Sequence, residues 1–337
     1  MMKKLLYIGN KLSKHGSTTT VIETLGISLS KEGYAITYAS DKKNQIHRMV
    51  DMIFTTIVNV NQVDYVLIDT YSTSSFYYAL LVSQLCRLFH AKYIPILHGG
   101  NLPNRIANSP FLSQLIFTNA YKNVAPSAYL LESFLTKRYT NVLLIPNTIE
   151  IDKYPFLERK CNEPKLLWVR SFSSLYNPKL AIKVLSEIQK EFPKSQLCMV
   201  GPNTENLMEE CKLYAKELGV SVLFTGKLSK EEWIDLSKEY TVFINTTHFD
   251  NTPVSVIEAM ALGLAVVSTN VGGIPFLLKN EKNALLVEDD NSEQMVQAIK
   301  TIFLNENLKK NMIGNARKMV ETFDWDIVKH KWFELLK

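Results

Sequence analysis

Phe249-Asp250-Asn251-Thr252-Pro253-Val254-Ser255-Val256-Ile257-Glu258-Ala259-Met260-Ala261 lies between two β-rich apolar runs, 241–244 and 265–268. The stretch passes from a polar loop into an apolar helical segment, so strand, loop, helix and strand follow one another as in a parallel α/β unit. In open sheets of that kind, ligands bind beyond the carboxyl ends of the strands. Asp250 then stands in a ligand-facing loop and Glu258 in the second turn of the helix. The backbone around Thr252, Pro253, Val254 and Ser255 opens that helix, where unpaired amides and the helix dipole favour an anion. A carboxylate deeper in the helix suits a ribose diol, since it accepts from two vicinal hydroxyls.

The same alternation continues in both directions. Strands are expected at 4–8, 35–39, 65–68, 92–97, 124–125 and 142–145, and again at 166–169, 196–200, 222–225, 241–244, 265–268 and 284–287. Helical segments lie between them, among them 18–31 and 178–192, the latter opened by Asn177 as a capping side chain and Pro178 at the first helical position. Each half therefore reads as its own doubly wound sheet. The polar, proline-containing segment 151–164 marks the join, which gives an N-terminal domain of 1–155 and a C-terminal one of 156–322. Residues 323–337 hold an amphipathic helix with two tryptophans, expected to pack back on the first domain.

The length of 337 residues suits two domains, and 46% apolar with 21% charged residues suits packed cores rather than disorder. No run of about 20 apolar residues marks a membrane span. The opening Met-Met-Lys-Lys-Leu-Leu-Tyr-Ile-Gly-Asn is too short in its apolar part for a signal peptide and reads as a first strand. Cys86, Cys161, Cys198 and Cys211 show no Cys-x-x-Cys spacing and fit a reducing cytosol. Residues 1–150 hold 14 Lys and Arg against 8 Asp and Glu, while the remainder holds 24 against 25. Excess basic charge on one half points to an anionic partner there, or serves only as a solubilising face. No nucleic-acid motif is present, and Gly9-Asn-Lys-Leu-Ser-Lys-His-Gly16 does not form the Gly-x-Gly-x-x-Gly of a dehydrogenase.

The stretch around Asp250 and Glu258 resembles the signature of the family-4 glycosyltransferases, in which an acid, seven residues and a glutamate lead into Ala-Met-Ala. Gly263-Leu-Ala-Val-Val-Ser-Thr-Asn270 and Val271-Gly272-Gly273-Ile274-Pro275 resemble the strand and glycine loop that follow in that family. Further matches run along nearly the whole chain: Gly16-Ser17, His98-Gly99-Gly100, Ala125-Pro126-Ser127, Pro146-Asn147-Thr148-Ile149 and Trp168-Val169-Arg170. The resemblance implies a retaining enzyme of the GT-B fold, two Rossmann-like domains facing across a cleft. It implies a nucleotide-sugar donor, UDP- or GDP-linked, on the second domain and the acceptor mainly on the first. His98 and Asp250 would orient the sugar, and Arg170 would bind phosphate with Gly16 near it. Glu258 would hold the ribose, and Gly99, Gly100 and Asn101 would line the acceptor side.

Three positions depart from the family's pattern. No lysine stands about five residues after Arg170, where only Tyr176 and Lys179 are at hand for phosphate. The first acid is Asp250 rather than glutamate, and Phe276 replaces a carboxylate of the glycine loop. A non-catalytic nucleotide-sugar-binding or scaffold protein and a sugar-nucleotide epimerase of the same fold remain alternative readings. With no histidine cluster, neither a metal nor another cofactor is expected. The expected setting is cytoplasmic, at the cytosolic face of a membrane where the acceptor is a glycan or lipid-linked precursor.

Overall fold

Leu5, Leu6, Tyr7 and Ile8 are all fully buried, as in a strand covered by helices on both faces. In the computed structural model, which describes residues 2–15, 20–160 and 163–337, this run forms β1 (Lys4–Ile8) of a six-stranded parallel sheet. Its other strands are β2 (Ala35–Ala39), β3 (Tyr65–Thr70), β4 (Tyr93–Leu97), β5 (Asn123–Ala125) and β6 (Val142–Leu144), in the order β2-β1-β3-β4-β5-β6. The connections carry α1 (Val21–Lys31), α2 (Gln45–Asn59), α3 (Ser75–Leu88), α4 (Leu102–Asn108), α5 (Pro110–Phe117) and α6 (Ala128–Thr136). Leu5 and Tyr7 face one core and Leu6 and Ile8 the other, as the two-residue period of a strand requires.

The second sheet is also six-stranded and parallel: β7 (Lys165–Val169), β8 (Gln196–Val200), β9 (Leu223–Gly226), β10 (Val242–Asn245), β11 (Ala265–Thr269) and β12 (Leu285–Val287). Its order is β12-β11-β10-β7-β8-β9. The helices here are α7 (Pro178–Ile188), α8 (Leu207–Glu217), α9 (Lys230–Leu236), α10 (Val254–Ala261), α11 (Ile274–Leu277), α12 (Ser292–Leu304) and α13 (Glu306–Glu321). Leu166 and Trp168 of β7 pack on one side of the sheet, and Leu167 on the other.

Contacts divide the chain into one unit running to Asn147 together with Trp325–Lys337, and a second unit, Thr148–Asp324. The division falls earlier than residue 155 because Ile149 and Tyr154 already sit in the second unit's core, with Ile149 bridged to Asp324. The last helix, α14 (Trp325–Leu335), belongs to the first unit. Val328, Trp332 and Leu335 pack there with Leu5 and Tyr7, and the Trp325 indole donates to Glu32 at 3.1 Å.

Two local readings need correction. Asn177 does precede α7, but its backbone is left-handed and its side chain donates to Asp290 at 2.9 Å rather than capping the helix. Proline at the first position, with φ already helical, starts α7 without that cap. Strand β3 runs past residue 68 through Asp69 and Thr70, both fully buried, because Tyr7 of β1 and His98 just beyond β4 both meet Asp69 Oδ1. Cys86, Cys198 and Cys211 are buried free thiols, and burial pushes them up to about 12, about 11 and about 11, so they stay protonated.

Candidate functional site

In the second unit the chain lays β7, β8 and β9 to one side, then returns and lays β10, β11 and β12 to the other. Loops leaving β7 and β10 therefore diverge to opposite faces, and a crevice opens at the carboxyl ends of these two neighbours. Arg170 is the first residue after β7, and Asp250 lies in the loop after β10. Their side chains meet there, Nη2 to Oδ2 at 2.6 Å, and both are largely shielded from solvent. Arg170 Nε also donates to Asn245 Oδ1 at 3.3 Å, and its guanidinium lies 4.8 Å from the Tyr176 ring centre. An arginine held by a carboxylate, an amide and an aromatic face is fixed before any ligand arrives.

Threonines pin the surrounding loops. Trp168 donates to Thr246 Oγ1 at 2.9 Å, which in turn donates to the Tyr176 carbonyl at 2.8 Å. Thr269 Oγ1 donates to the Thr247 carbonyl at 2.6 Å. The paired glycines have a steric role: a Cβ on Gly273 would stand 2.1 Å from the Asn251 carbonyl, and one on Gly272 2.5 Å from that of Asp250. With no side chain in the way, the Gly273 amide donates to the Asp250 carbonyl at 2.7 Å and holds the loop that carries Asp250.

Pro253 caps α10, its carbonyl accepting from the Val256 and Ile257 amides, and it has no N–H of its own to offer a ligand. Val254 and Ser255 begin the first turn, whose amides have no partner within the helix. Val254 is exposed, and the buried Ser255 Oγ has no hydrogen-bond partner among the described residues. Thr252 is partly exposed in the loop before them. One turn further, Glu258 is buried, and its Oε1 accepts from the Tyr154 hydroxyl at 2.8 Å and from the Lys230 ammonium. Burial and the neighbouring Glu258 charge push the Tyr154 hydroxyl far up, so it remains a donor. Lys179 points elsewhere: its Nζ pairs with Glu210 at 2.8 Å on the exposed side of α7 and α8.

The first unit has its own point of divergence, between β1 and β3. Gly9 follows β1, Asp69 is next to last in β3, and His98 follows β4. Asp69 Oδ1 accepts from the Tyr7 hydroxyl at 3.1 Å and pairs with His98 Nε2 at 2.9 Å. The His98 ring stacks on Tyr71 with centres 4.8 Å apart. Asp69 Oδ2 has no hydrogen-bond partner among the described residues, and a Cβ on Gly9 would come within 2.6 Å of it. Gly99, at φ +80°, turns the chain away from His98, and Gly100 leads to Asn101 at the start of α4. The Asn101 side chain accepts from Asn104 at 2.7 Å and does not cap that helix. Gly16 lies outside the described residues.

The structure thus brings Arg170 to Asp250 and sets Glu258 in the helix that follows. It adds three residues the sequence did not single out: Asp69, Tyr154 and Lys230. Asp69 had a visible signal, an acid closing the apolar run Tyr65-Val-Leu-Ile. Lys230 had none, since it reads as an ordinary surface lysine opening an acidic helix.

A sequence model of the family described as glycosyl transferases group 1 matches residues 151–319. An uncharacterized glycosyltransferase of Methanocaldococcus jannaschii is 25% identical over 227 residues, 64% of this chain and 57% of that protein. The chain spans about half the length of the curated relatives it matches. Among solved structures, the sucrose-phosphate synthase of Thermosynechococcus elongatus aligns with a TM-score of 0.78 at 14% identity, covering 99% of this chain and 98% of that one. Anabaena HepE in complex with UDP-glucose aligns with a TM-score of 0.76 at 15% identity, covering 99% of both chains. At these identities the likeness shows the fold, GT-B, and nothing of the ligand.

Proposed function

The chain belongs to the group 1 glycosyl transferases, and from that membership we propose that it moves a sugar from a nucleoside diphosphate to an acceptor hydroxyl. One observation carries the reading. Arg170 and Asp250 meet where the second sheet diverges, beside the start of α10, and Glu258 stands one turn inside that helix. This is an arrangement for a ligand that is anionic at one point and rich in vicinal hydroxyls at another. The neighbour crystallised with UDP-glucose supports a nucleotide sugar, UDP- or GDP-linked, as the ligand class.

In this proposal the bond between the anomeric carbon and the β-phosphate oxygen breaks, and a bond to the acceptor oxygen forms on the same face. The hydroxyl proton passes to the departing phosphate. Arg170 and the amides of Val254 and Ser255 stabilise the charge that develops on the diphosphate. Glu258 accepts from the ribose, which displaces Lys230 and frees it for the phosphates. Asp250 and His98 orient the transferred sugar. Gly99, Gly100 and Asn101 are assigned to the acceptor, a glycan or lipid-linked precursor at the cytosolic face of a membrane. No metal is assigned a role, so turnover should survive a chelator.

Calorimetry with UDP, GDP, ADP and their sugars, repeated with Glu258→Ala, tests the reading. Selective binding of one nucleotide, weakened about tenfold or more in the variant, is expected for the loss of a buried charged acceptor. Absence of binding to every nucleotide would favour the non-catalytic scaffold reading.

A further inference from the structure

Helix α2 turns apolar side chains outward as well as inward. An ordinary surface helix turns its apolar stripe to the core and its polar face to water. In α2 the inward positions are Arg48, Met52 and Thr56, all buried. Arg48 spends its guanidinium on the carbonyls of Lys42 and Lys43, at 2.8 and 3.1 Å, and Thr56 donates back to the Met52 carbonyl. The opposite face carries Ile46, Val50, Phe54 and Ile57, spaced four, four and three residues apart on one stripe. They are 73%, 60%, 66% and 47% exposed. Helix α3 packs beside α2 and adds Tyr77 and Leu81, four residues apart and also exposed. Single exposed apolar residues are ordinary, but an organised stripe continued onto the next helix marks a binding face.

Charge indicates what covers it. The first unit carries 17 Lys and Arg against 9 Asp and Glu, whereas the second carries 21 against 24. Lys42 and Lys43 are exposed in the turn that leads into α2, His47 is exposed in its first turn, and Arg87 is exposed on α3. The acids nearby are Asp41, 3.6 Å from Lys42, and the partly buried Asp51. An apolar stripe flanked by basic side chains suits an anionic bilayer, which takes the stripe into its acyl boundary and meets the lysines with its headgroups. The turn holding Lys42 and Lys43 leaves the carboxyl end of β2, the same end of the parallel sheet at which Gly9 and His98 stand.

We propose that the outer face of α2, extended by α3, docks the protein on a membrane rich in anionic lipid. The surface stands on its own observations; that docking brings a lipid-linked acceptor to the edge of the sheet near His98 rests on the glycosyl-transfer reading above.

Flotation of the full chain with vesicles of phosphatidylglycerol and phosphatidylcholine, against phosphatidylcholine alone, tests it. The wild type should float with the anionic vesicles and be released by salt. The double variant Val50→Ser with Phe54→Ser should lose at least about tenfold in partitioning, and Lys42→Glu with Lys43→Glu should lose the preference for anionic lipid. All these positions are exposed, so Tm and nucleotide affinity should hold in both variants, which separates docking from misfolding. Failure to float with any vesicle, or flotation indifferent to both variants, would overturn the proposal. So would a dimer seen in sedimentation and lost in the apolar variant, which would give the face to a second copy of the chain. Vesicle binding without nucleotide binding would leave this proposal standing and defeat the glycosyl-transfer reading.

Discussion

Both sheets diverge at a point where ligands gather, yet the two points are built from opposite materials. In the second unit a cation and an anion, Arg170 and Asp250, neutralise each other near the surface, and Glu258 is likewise met by Lys230. In the first unit a fully buried carboxylate, Asp69, holds an imidazole and a phenol by one oxygen while the other has no partner among the described residues. Paired charges at a rim can trade partners when a ligand with its own charge arrives, at little net cost in desolvation. A fully buried carboxylate met by no lysine or arginine among the described residues cannot, because exposing or stranding it is expensive. The second site is therefore suited to exchange, and the first to holding a ring still.

The largest effect should come from breaking the exchangeable pair. Arg170→Ala removes the charge assigned above to the departing diphosphate and leaves Asp250 without its cation. The expected loss in kcat/KM is roughly 100- to 1,000-fold, as for removal of one electrostatic stabiliser of a transition state. Arg170→Lys should restore only part of it, because a point charge cannot reproduce the fork shared among Asp250 and Asn245. Initial rates with the nucleotide sugar identified by calorimetry would measure both. Equal loss in the two variants would mean that the fork rather than the charge matters.

A smaller effect, and one of a different kind, is expected on the other side of the comparison. Asp69→Ala takes away the acceptor shared by His98 and Tyr7 and lets the imidazole turn. We expect kcat to fall roughly tenfold or more, the scale seen when a partner that orients a histidine is lost, while nucleotide affinity stays unchanged. Asp69→Asn should recover most of the loss, because its amide oxygen can still accept from both donors. If Asn fails where Ala fails, the carboxylate acts through its charge, and the first site is less like a clamp than its burial suggests.

The contrast also explains what the sequence disclosed. The twelve strands among the described residues follow from apolar runs and turn signals, since burial on two faces leaves a continuous local trace. The positions of Arg170 and His98 directly after strands, and of Asp250 and Glu258 in the loop and helix that follow β10, were legible from local pattern. The partners were not. Asp69 and His98 are 29 positions apart, Lys230 and Glu258 are 28 apart, and Tyr154 and Glu258 are 104 apart. Strand order brings them together, and alternation alone does not reveal strand order. Asp69 was further obscured because an acid in a strand reads as the strand's end. Its burial depends on donors from β1 and from the end of β4, which only the fold supplies.

The smallest effect expected is the most pointed test of the second site. Lys179 was the nearest downstream cation to replace a lysine absent after Arg170, and its place in the first turn of α7 made that reading natural. In the structure its ammonium is 2.8 Å from Glu210, and that hydrogen bond raises its pKa. Both side chains are about half exposed, and a pair of this kind contributes about 0–1 kcal/mol. Lys179→Ala should therefore change nucleotide affinity by less than about twofold and leave Tm nearly in place. Calorimetry on Lys179→Ala and Lys230→Ala side by side decides which lysine meets the phosphates. A loss confined to Lys230→Ala would mean that the missing cation is supplied from α9, through its release from Glu258. A tenfold loss in Lys179→Ala instead would mean that the Glu210 pair opens when the donor binds, and the second site would then exchange three ion pairs rather than two.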